Sequence, residues 1–264
     1  MLIKAIKMHG QGNDYIYFDI MELDVSSVNW NEVAIKWSNR HFGIGSDGIV
    51  LIDSDKKYDA MMRMFNIDGS ESEMCGTALR CCGHYLSKKL SKHELRINTL
   101  SGLKTSFCTH TDDIVKVDMG IPVLQVKDEI TLKVQDNSIK GYYFDIGNPH
   151  FVIINNQDTY KNIEYYGPIL ENYHIFPNKA NIETVEIIDK QTIRIRVWER
   201  GSGITLACGT GSSVSAFATY KFYNMENNIK VFLPGGDVNI EIDDDNRCYL
   251  SGKVQVVFET FIDI

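Results

Sequence analysis

The chain has 264 residues, which at roughly 150 residues per domain suits one large or two small domains. Hydrophobic residues make up 44% and charged residues 23%, an ordinary globular balance that excludes a disordered tail, a collagen-like chain and a membrane bundle. Lys and Arg number 27 against 35 Asp and Glu, a net charge of −8, and with a pI of about 5.4 this argues against nucleic acid and against an anionic membrane surface as partners.

The first residues, Met1 to Gly10, alternate like a strand, carry Lys4 and Lys7, and contain no apolar run of a secretory signal. The six cysteines, Cys75, Cys81, Cys82, Cys108, Cys208 and Cys248, are too sparse for a disulfide scaffold. A cytoplasmic protein with reduced thiols is expected. A helix is expected from Asn29 to Asn39. Strands are expected at Ile49–Ile52, Met61–Phe65, Ile114–Val117, Tyr142–Phe144, Phe151–Ile154, Thr192–Val197 and Val254–Phe258. Two further helices, Cys75 to Lys89 and Cys208 to Tyr223, stand among them. Many strands with one prominent helix per half predict an α+β fold rather than a doubly wound sheet.

The chain reads as if written twice. Gly12-Asn13 recurs as Gly147-Asn148, Gly69-Ser70 as Gly201-Ser202, Cys75-Gly76-Thr77 as Cys208-Gly209-Thr210, and Leu100-Ser101-Gly102 as Leu233-Pro234-Gly235. The order is kept and the offsets all lie between 132 and 135 residues, which favours duplication over coincidence. Two pseudo-symmetric domains are therefore expected, residues 1–118 carrying Cys75 and residues 119–257 carrying Cys208, with a strand over 258–264 returning to the first. A cleft between two such domains is a favoured ligand site.

Each repeated cysteine stands at the start of its helix. The first N–H groups of a helix lack internal partners and carry partial positive charge, so a thiol there is expected to have a lowered pKa. The N–H groups of Gly76-Thr77 and Gly209-Thr210 are suited to a carboxylate, and glycine after the cysteine allows close approach. Two such places acting on one ligand give two-base chemistry: a thiolate takes a proton from one face of a carbon and a thiol returns one to the other. The outcome is racemisation or epimerisation, for which no cofactor is expected. Cys81, Cys108 and Cys248 are expected as small buried hydrophobes. Cys75, Cys81, Cys82 and His84 lack the paired spacing of strong zinc sites, so no metal is expected.

The blocks Met8–Asp14, Asn39–Gly48, Phe65–Ser70 leading to Met74-Cys75-Gly76, Gly147–His150, Trp198–Gly201 through Ala207–Gly211, and Leu233–Gly236 resemble the diaminopimelate epimerases, in family order across nearly the whole chain. The resemblance implies a cofactor-independent isomerase that interconverts LL- and meso-diaminopimelate in lysine and peptidoglycan-precursor synthesis. It implies two barrel-like units, each wrapping strands around a central helix, an active site in the interdomain cleft, and a homodimer. It implies Cys75 and Cys208 as the base and acid. Substrate contacts are implied at Asn13, Asn66, Asn148, Asn181, Glu199 and Arg200 and at the amides of Gly76, Thr77, Gly209 and Thr210. His150 and the Glu199 side chain match positions beside the thiols.

One departure stands out: where the family has Cys-Gly-Asn-Gly, this chain has Cys75-Gly76-Thr77-Ala78. The amide N–H of residue 77 survives the change, and the asparagine side chain does not. Three other readings stay open at this point. One is another amino-acid racemase of the same fold. The second is a thiol redox protein, which lacks the usual C-x-x-C motif. The third is a binding protein without catalysis.

Overall fold

The computed structural model describes residues 1–109 and 112–264. It divides into two compact units, one of Met1–Val117 with Gly252–Ile264 and one of Asp118–Ser251.

In the first unit the elements are β1 (Leu2–Gly10), β2 (Asn13–Asp19), α1 (Trp30–Ser38), β3 (Gly48–Asp53), β4 (Ala60–Asn66), β5 (Glu71–Ser72), α2 (Gly76–Leu90), β6 (Glu94–Thr99), β7 (Gly102–Cys108) and β8 (from Ile114). The second contains β9 (Val123–Leu124), β10 (Ile130–Val134), β11 (Asn137–Asp145), β12 (Pro149–Ile154), α3 (Gln157–Lys161), α4 (Ile163–Glu171), β13 (Asn181–Asp189), β14 (Thr192–Glu199), β15 (Gly203–Thr205), α5 (Gly209–Tyr223), β16 (Asn228–Leu233), β17 (Gly236–Ile242) and β18 (from Cys248). The chain then returns to the first unit, where β19 (Gln255–Asp263) lies antiparallel to β1, with Ile3 opposite Ile262.

The strand pairings are the same in both units. β2 runs parallel to β3, β3 antiparallel to β4, β4 antiparallel to β5 and parallel to β6, and β6 antiparallel to β7. In the second unit β12 runs parallel to β13, β13 antiparallel to β14, β14 antiparallel to β15 and parallel to β16, and β16 antiparallel to β17. The repeated motifs therefore sit on repeated elements, as duplication requires. The three expected helices are α1, capped by Asn29, and α2 and α5.

Residues such as Ile16, Tyr17 and Phe18 of β2 and Ile49 to Ile52 of β3 are all buried, because these strands are covered on both faces. On one side Phe18, Ile49, Leu51 and Phe65 pack with Trp30, Val33 and Ala34 of α1. On the other lies α2, which contacts β1, β2, β4, β6 and β7. In the second unit α5 contacts β12, β13, β14, β16 and β17. Each unit thus wraps strands around one central helix, the α+β arrangement expected from the sequence.

Burial on every side explains the composition of α5, in which every residue from Gly209 to Thr219 is buried. Small residues let strands close around the helix. The hydroxyls of Ser212, Ser213 and Thr219 donate to carbonyls of the helix itself, at 2.7 Å to Cys208, 2.9 Å to Gly209 and 2.9 Å to Ala216, so burying them leaves no donor unmet.

Cys81, Cys108 and Cys248 are buried, as expected of structural thiols. Burial pushes Cys81 up to about 11 and Cys248 up to about 12, from an ordinary 9.0. A thiol pKa raised by folding contributes stability that is whole below the ordinary value and is lost as pH rises through the folded value. The thermal midpoint is therefore expected to fall between about pH 9 and pH 11, faster than in a Cys81→Ala, Cys248→Ala double variant. Equal slopes in a thermal melt series would remove these thiols as the cause.

Candidate active site

Cys75 and Cys208 occupy the same place in the two units. Each is the N-cap of a helix of 15 residues, with extended backbone of φ −135° and ψ 129° at Cys75 and φ −134° and ψ 116° at Cys208. Both helices end in a left-handed residue, Ser91 and Asn224, each at φ 53°. An extended N-cap aims its side chain across the first turn, where the amides lack helical partners.

In the first unit the partner of Cys75 is set by a tight hairpin. Gln11 and Gly12 have φ of 53° and 82°, and Gly10 pairs with Asn13, which is the geometry of a two-residue turn with both central residues left-handed. The turn places Asn13 at the start of β2, where its Oδ1 accepts from the Cys75 thiol at 3.4 Å. Its Nδ2 donates to Asp47 Oδ2 at 3.2 Å. Arg40 Nη2 bridges Asp47 and Asp14, at 2.8 Å to each, and Lys7 also pairs with Asp14. Burial acts to raise the Asp14 carboxyl, but Arg40 and Lys7 hold it below its ordinary value. A compensated charge cluster therefore fixes the asparagine that meets the thiol.

In the second unit the surroundings of Cys208 are acidic. Its Sγ accepts from the Gly211 amide at 3.4 Å and lies 3.5 Å from Thr210 Oγ1. Asn148 Nδ2 donates to Thr210 Oγ1 at 3.4 Å, and Asn148 Oδ1 lies 2.9 Å from His150 Nε2. His150 Nδ1 lies 2.7 Å from Glu183 Oε1, and both side chains are fully buried. Glu199 Oε1 accepts from Thr205 Oγ1 at 2.6 Å, which β15 delivers by folding back on β14.

This environment reverses one expectation. Burial first, then the Glu199 and Glu183 carboxylates, raise the Cys208 thiol well above its ordinary value. Burial likewise raises Glu199. A helix terminus contributes about 0.3–2 kcal/mol toward a thiolate, which is less than desolvation and two carboxylates take away. Cys208 therefore stands as a thiol at neutral pH.

The other expected residues take differing places. Gly76, Thr77, Gly209 and Thr210 form the first turns behind the two cysteines. Asn66 ends β4, and its Nδ2 donates to Ser70 Oγ at 3.0 Å, within the turn that Gly69 makes at φ 84°. Asn181 is buried, its Nδ2 donating to Pro149 O and its Oδ1 accepting from the Arg200 amide, both at 2.9 Å. It thereby ties the start of β12 to the turn after β14. The half-buried Arg200 donates through Nη1 to Asn178 O at 2.9 Å. So Asn13 meets Cys75, and Thr210, with Asn148 and His150 behind it, meets Cys208.

Two site residues escaped the sequence reading. Glu183 is a carboxylate in the middle of a buried strand, and that mismatch of type and pattern was its only signal. Asp47 lay unremarked within the Asn39–Gly48 block. Gly211 also has a geometric role, because a Cβ there would stand 2.8 Å from Glu183 Oε1 and 3.2 Å from Cys208 Sγ. Gly211→Ala is expected to displace that thiol and lower turnover by about 10- to 100-fold, since misplacement near 1 Å has that cost. Steady-state kcat beside a thermal melt checks it, and unchanged turnover would show that the contact is tolerated.

Among the described residues no group of three or more His, Cys, Asp and Glu side chains is placed to hold a metal ion. No helix among them is long and apolar enough to cross a membrane.

Comparison with known proteins decides the family. The profile described as diaminopimelate epimerase matches residues 5–125 and 142–257. The chain belongs to the diaminopimelate epimerase family. Relatives named diaminopimelate epimerase include those of Acetivibrio thermocellus, 43% identical over 99% of each chain, and of Methanococcus maripaludis strain C6, 43% identical over 99% of this chain and 100% of that one. Among solved structures, a phenazine biosynthesis protein of the PhzF family from Bacillus anthracis superposes with a TM-score of 0.75 at 17% identity, covering 100% of both chains. A hydroxyproline epimerase from Agrobacterium vitis gives 0.70 at 11% identity, covering 99% of this chain and 91% of that one. At such identities the two structures share the fold alone with this family member.

Proposed function

We propose that this protein is a diaminopimelate epimerase, an isomerase that interconverts the LL and meso forms by giving the α-proton to one cysteine thiolate and taking a proton from a second cysteine thiol. The observation that carries the reading is the matched pair of N-cap cysteines, Cys75 and Cys208, in a chain of this family. One cysteine acts as thiolate and withdraws the α-proton, while the other acts as thiol and delivers a proton to the opposite face. The amides of Gly76, Thr77, Gly209 and Thr210 are the groups suited to the substrate carboxylate, whose charge grows as the proton leaves.

The remaining assignments follow the same reading. Asn13 and Asn148 hold substrate beside the thiol groups, and Glu199 with Arg200 holds an amino-acid end, for which a guanidinium fork fits a carboxylate. Asn66 and Asn181 join them by shaping the turns that carry these groups. His150 supports Asn148. The reaction is read as needing no cofactor, the compartment as cytoplasm and the assembly as a homodimer. Exposed Val256, Val257, Phe258 and Phe261 on β19 support association, which sedimentation of the pure protein tests.

The deciding experiment is proton NMR of reduced protein with LL-diaminopimelate in D₂O. Loss of the α-proton signal together with appearance of the meso isomer is expected. No exchange, with thiols verified as reduced, would overturn the substrate assignment.

A further inference from the structure

An asparagine side chain has two unlike ends, a carbonyl oxygen that only accepts and an NH₂ that donates, so the neighbour that takes one end decides what the other presents. Asn13 stands between two such neighbours. Its Nδ2 donates to Asp47 Oδ2 at 3.2 Å, and its Oδ1 accepts from the Cys75 thiol at 3.4 Å. Both oxygens of Asp47 are used by N–H donors: Oδ1 accepts from Arg40 Nη2 at 2.8 Å, and Oδ2 accepts from the Asp14 amide at 3.1 Å as well as from Asn13. Burial raises the Asp47 carboxyl, and the Asp14 amide and Arg40 act against that rise. The backbone of Asp47 is held too, its N–H donating to Asp14 O at 2.8 Å and its carbonyl accepting from the Ile67 amide at 3.1 Å. A carboxylate has no proton to give, so a reversed Asn13 amide would set two acceptor oxygens against each other.

The second unit is built differently at the equivalent place. Tyr15 of β2 lies opposite Gly48 of β3, and His150 of β12 lies opposite Asn181 of β13. Asn13 and Asn148 stand two residues before Tyr15 and His150, and Asp47 and Ala180 stand one residue before Gly48 and Asn181. Where the first unit has a carboxylate, the second therefore has the buried methyl of Ala180. Asn148 is turned the other way, with Oδ1 2.9 Å from His150 Nε2 and Nδ2 donating to Thr210 Oγ1 at 3.4 Å. The two equivalent asparagines thus show opposite ends: an oxygen toward Cys75, and an NH₂ toward the hydroxyl that lies 3.5 Å from Cys208 Sγ.

We propose that Asp47 is a positioning residue for Cys75: it takes the NH₂ end of Asn13 and so turns the carbonyl oxygen of that amide to the thiol. An oxygen facing the sulfur is an acceptor that only the protonated thiol can use, so the contact favours the S–H form and directs its hydrogen. Without Asp47 the amide is free to turn its NH₂ to the sulfur, which favours the thiolate instead. Asp47 acts on the thiol through Asn13, so the two residues behave as one unit in any measurement of Cys75.

The bearing of Asp47 on catalysis rests on Cys75 as a reacting group, but its hold on the thiol is measured without substrate, so the two can fail separately. Reduced, substrate-free protein is alkylated with iodoacetamide at about pH 8, and the Cys75 peptide is quantified by mass spectrometry. Asp47→Ala is expected to speed alkylation of Cys75 by about threefold or more, because a hydrogen bond that favours the neutral thiol is released. In an Asn13→Ala background the same substitution is expected to change the rate much less, which a lost charge or a loosened fold acting directly on the thiol would not reproduce. Asp47→Asn keeps a carbonyl oxygen for the Asn13 NH₂ and is expected to stay within about threefold of the unaltered rate. An equal acceleration by Asp47→Ala in both backgrounds, or none in either, would overturn the proposal. If an alanine variant does not fold, Asp47→Asn decides: a Cys75 rate changed by more than about threefold overturns it, since that substitution removes the charge and keeps the acceptor.

Discussion

Cys75→Ala and Cys208→Ala are each expected to lower turnover of LL-diaminopimelate by about 10²- to 10⁴-fold, the contribution of a positioned acid or base. Both cysteines stand at the N-cap positions of helices whose other contacts persist in the variants, so the loss belongs to chemistry and not to unfolding. Cys208→Ala removes one acceptor of the Gly211 amide, and Cys75→Ala removes one donor to Asn13, each costing at most about 1–2 kcal/mol. The double variant is expected to be little slower than either single one, because the two groups act as a unit. Turnover assays beside thermal melts check this. A single variant within tenfold of the unaltered enzyme, with its fold intact, would exclude the two-thiol mechanism.

The second large effect is on stability. Glu183 and His150 form a fully buried pair at 2.7 Å, and Glu183 Oε2 has no hydrogen-bond partner. Glu183→Ala leaves the ring of His150 buried without that acceptor, at a cost of about 3–5 kcal/mol. At about 2–4 °C per kcal/mol for a protein of this size, the thermal midpoint drops by about 10 °C. Glu183→Gln keeps a carbonyl acceptor and is expected to lose less than half as much. Because His150 also contacts Asn148, which reaches Thr210, Glu183→Ala is expected to lower turnover as well. A midpoint within about 2 °C of the unaltered protein would show that the pair contributes no net stability.

Much of this protein was legible in the chain. Cys-Gly-Thr occurring twice at a constant offset marked two equivalent helix starts, and the structure has them with backbone angles alike within 13°. Small residues along 209–219 marked a helix enclosed by strands, because only such residues admit backbone on every side. The alternation of β-rich runs located the strands that flank both helices. The helices α3 and α4 were not singled out, since Gln157–Lys161 is a single short turn and Pro168 interrupts the pattern of Ile163–Glu171.

Equivalent sequence did not mean equivalent chemistry. Position along the chain determined which thiols stand at helix N-termini, because capping and the first free amides are local properties. It did not determine the ionisation of Cys208, which depends on charges brought from distant segments, Glu183 from β13 and Glu199 from β14. Asn181 shows the same division. Its side-chain amide is used by Pro149 and Arg200, which are 32 and 19 residues away. Local pattern placed the reacting groups, and tertiary packing set the surroundings of each thiol, keeping Cys208 protonated, since desolvation and Coulomb interactions depend on what lies nearby in space.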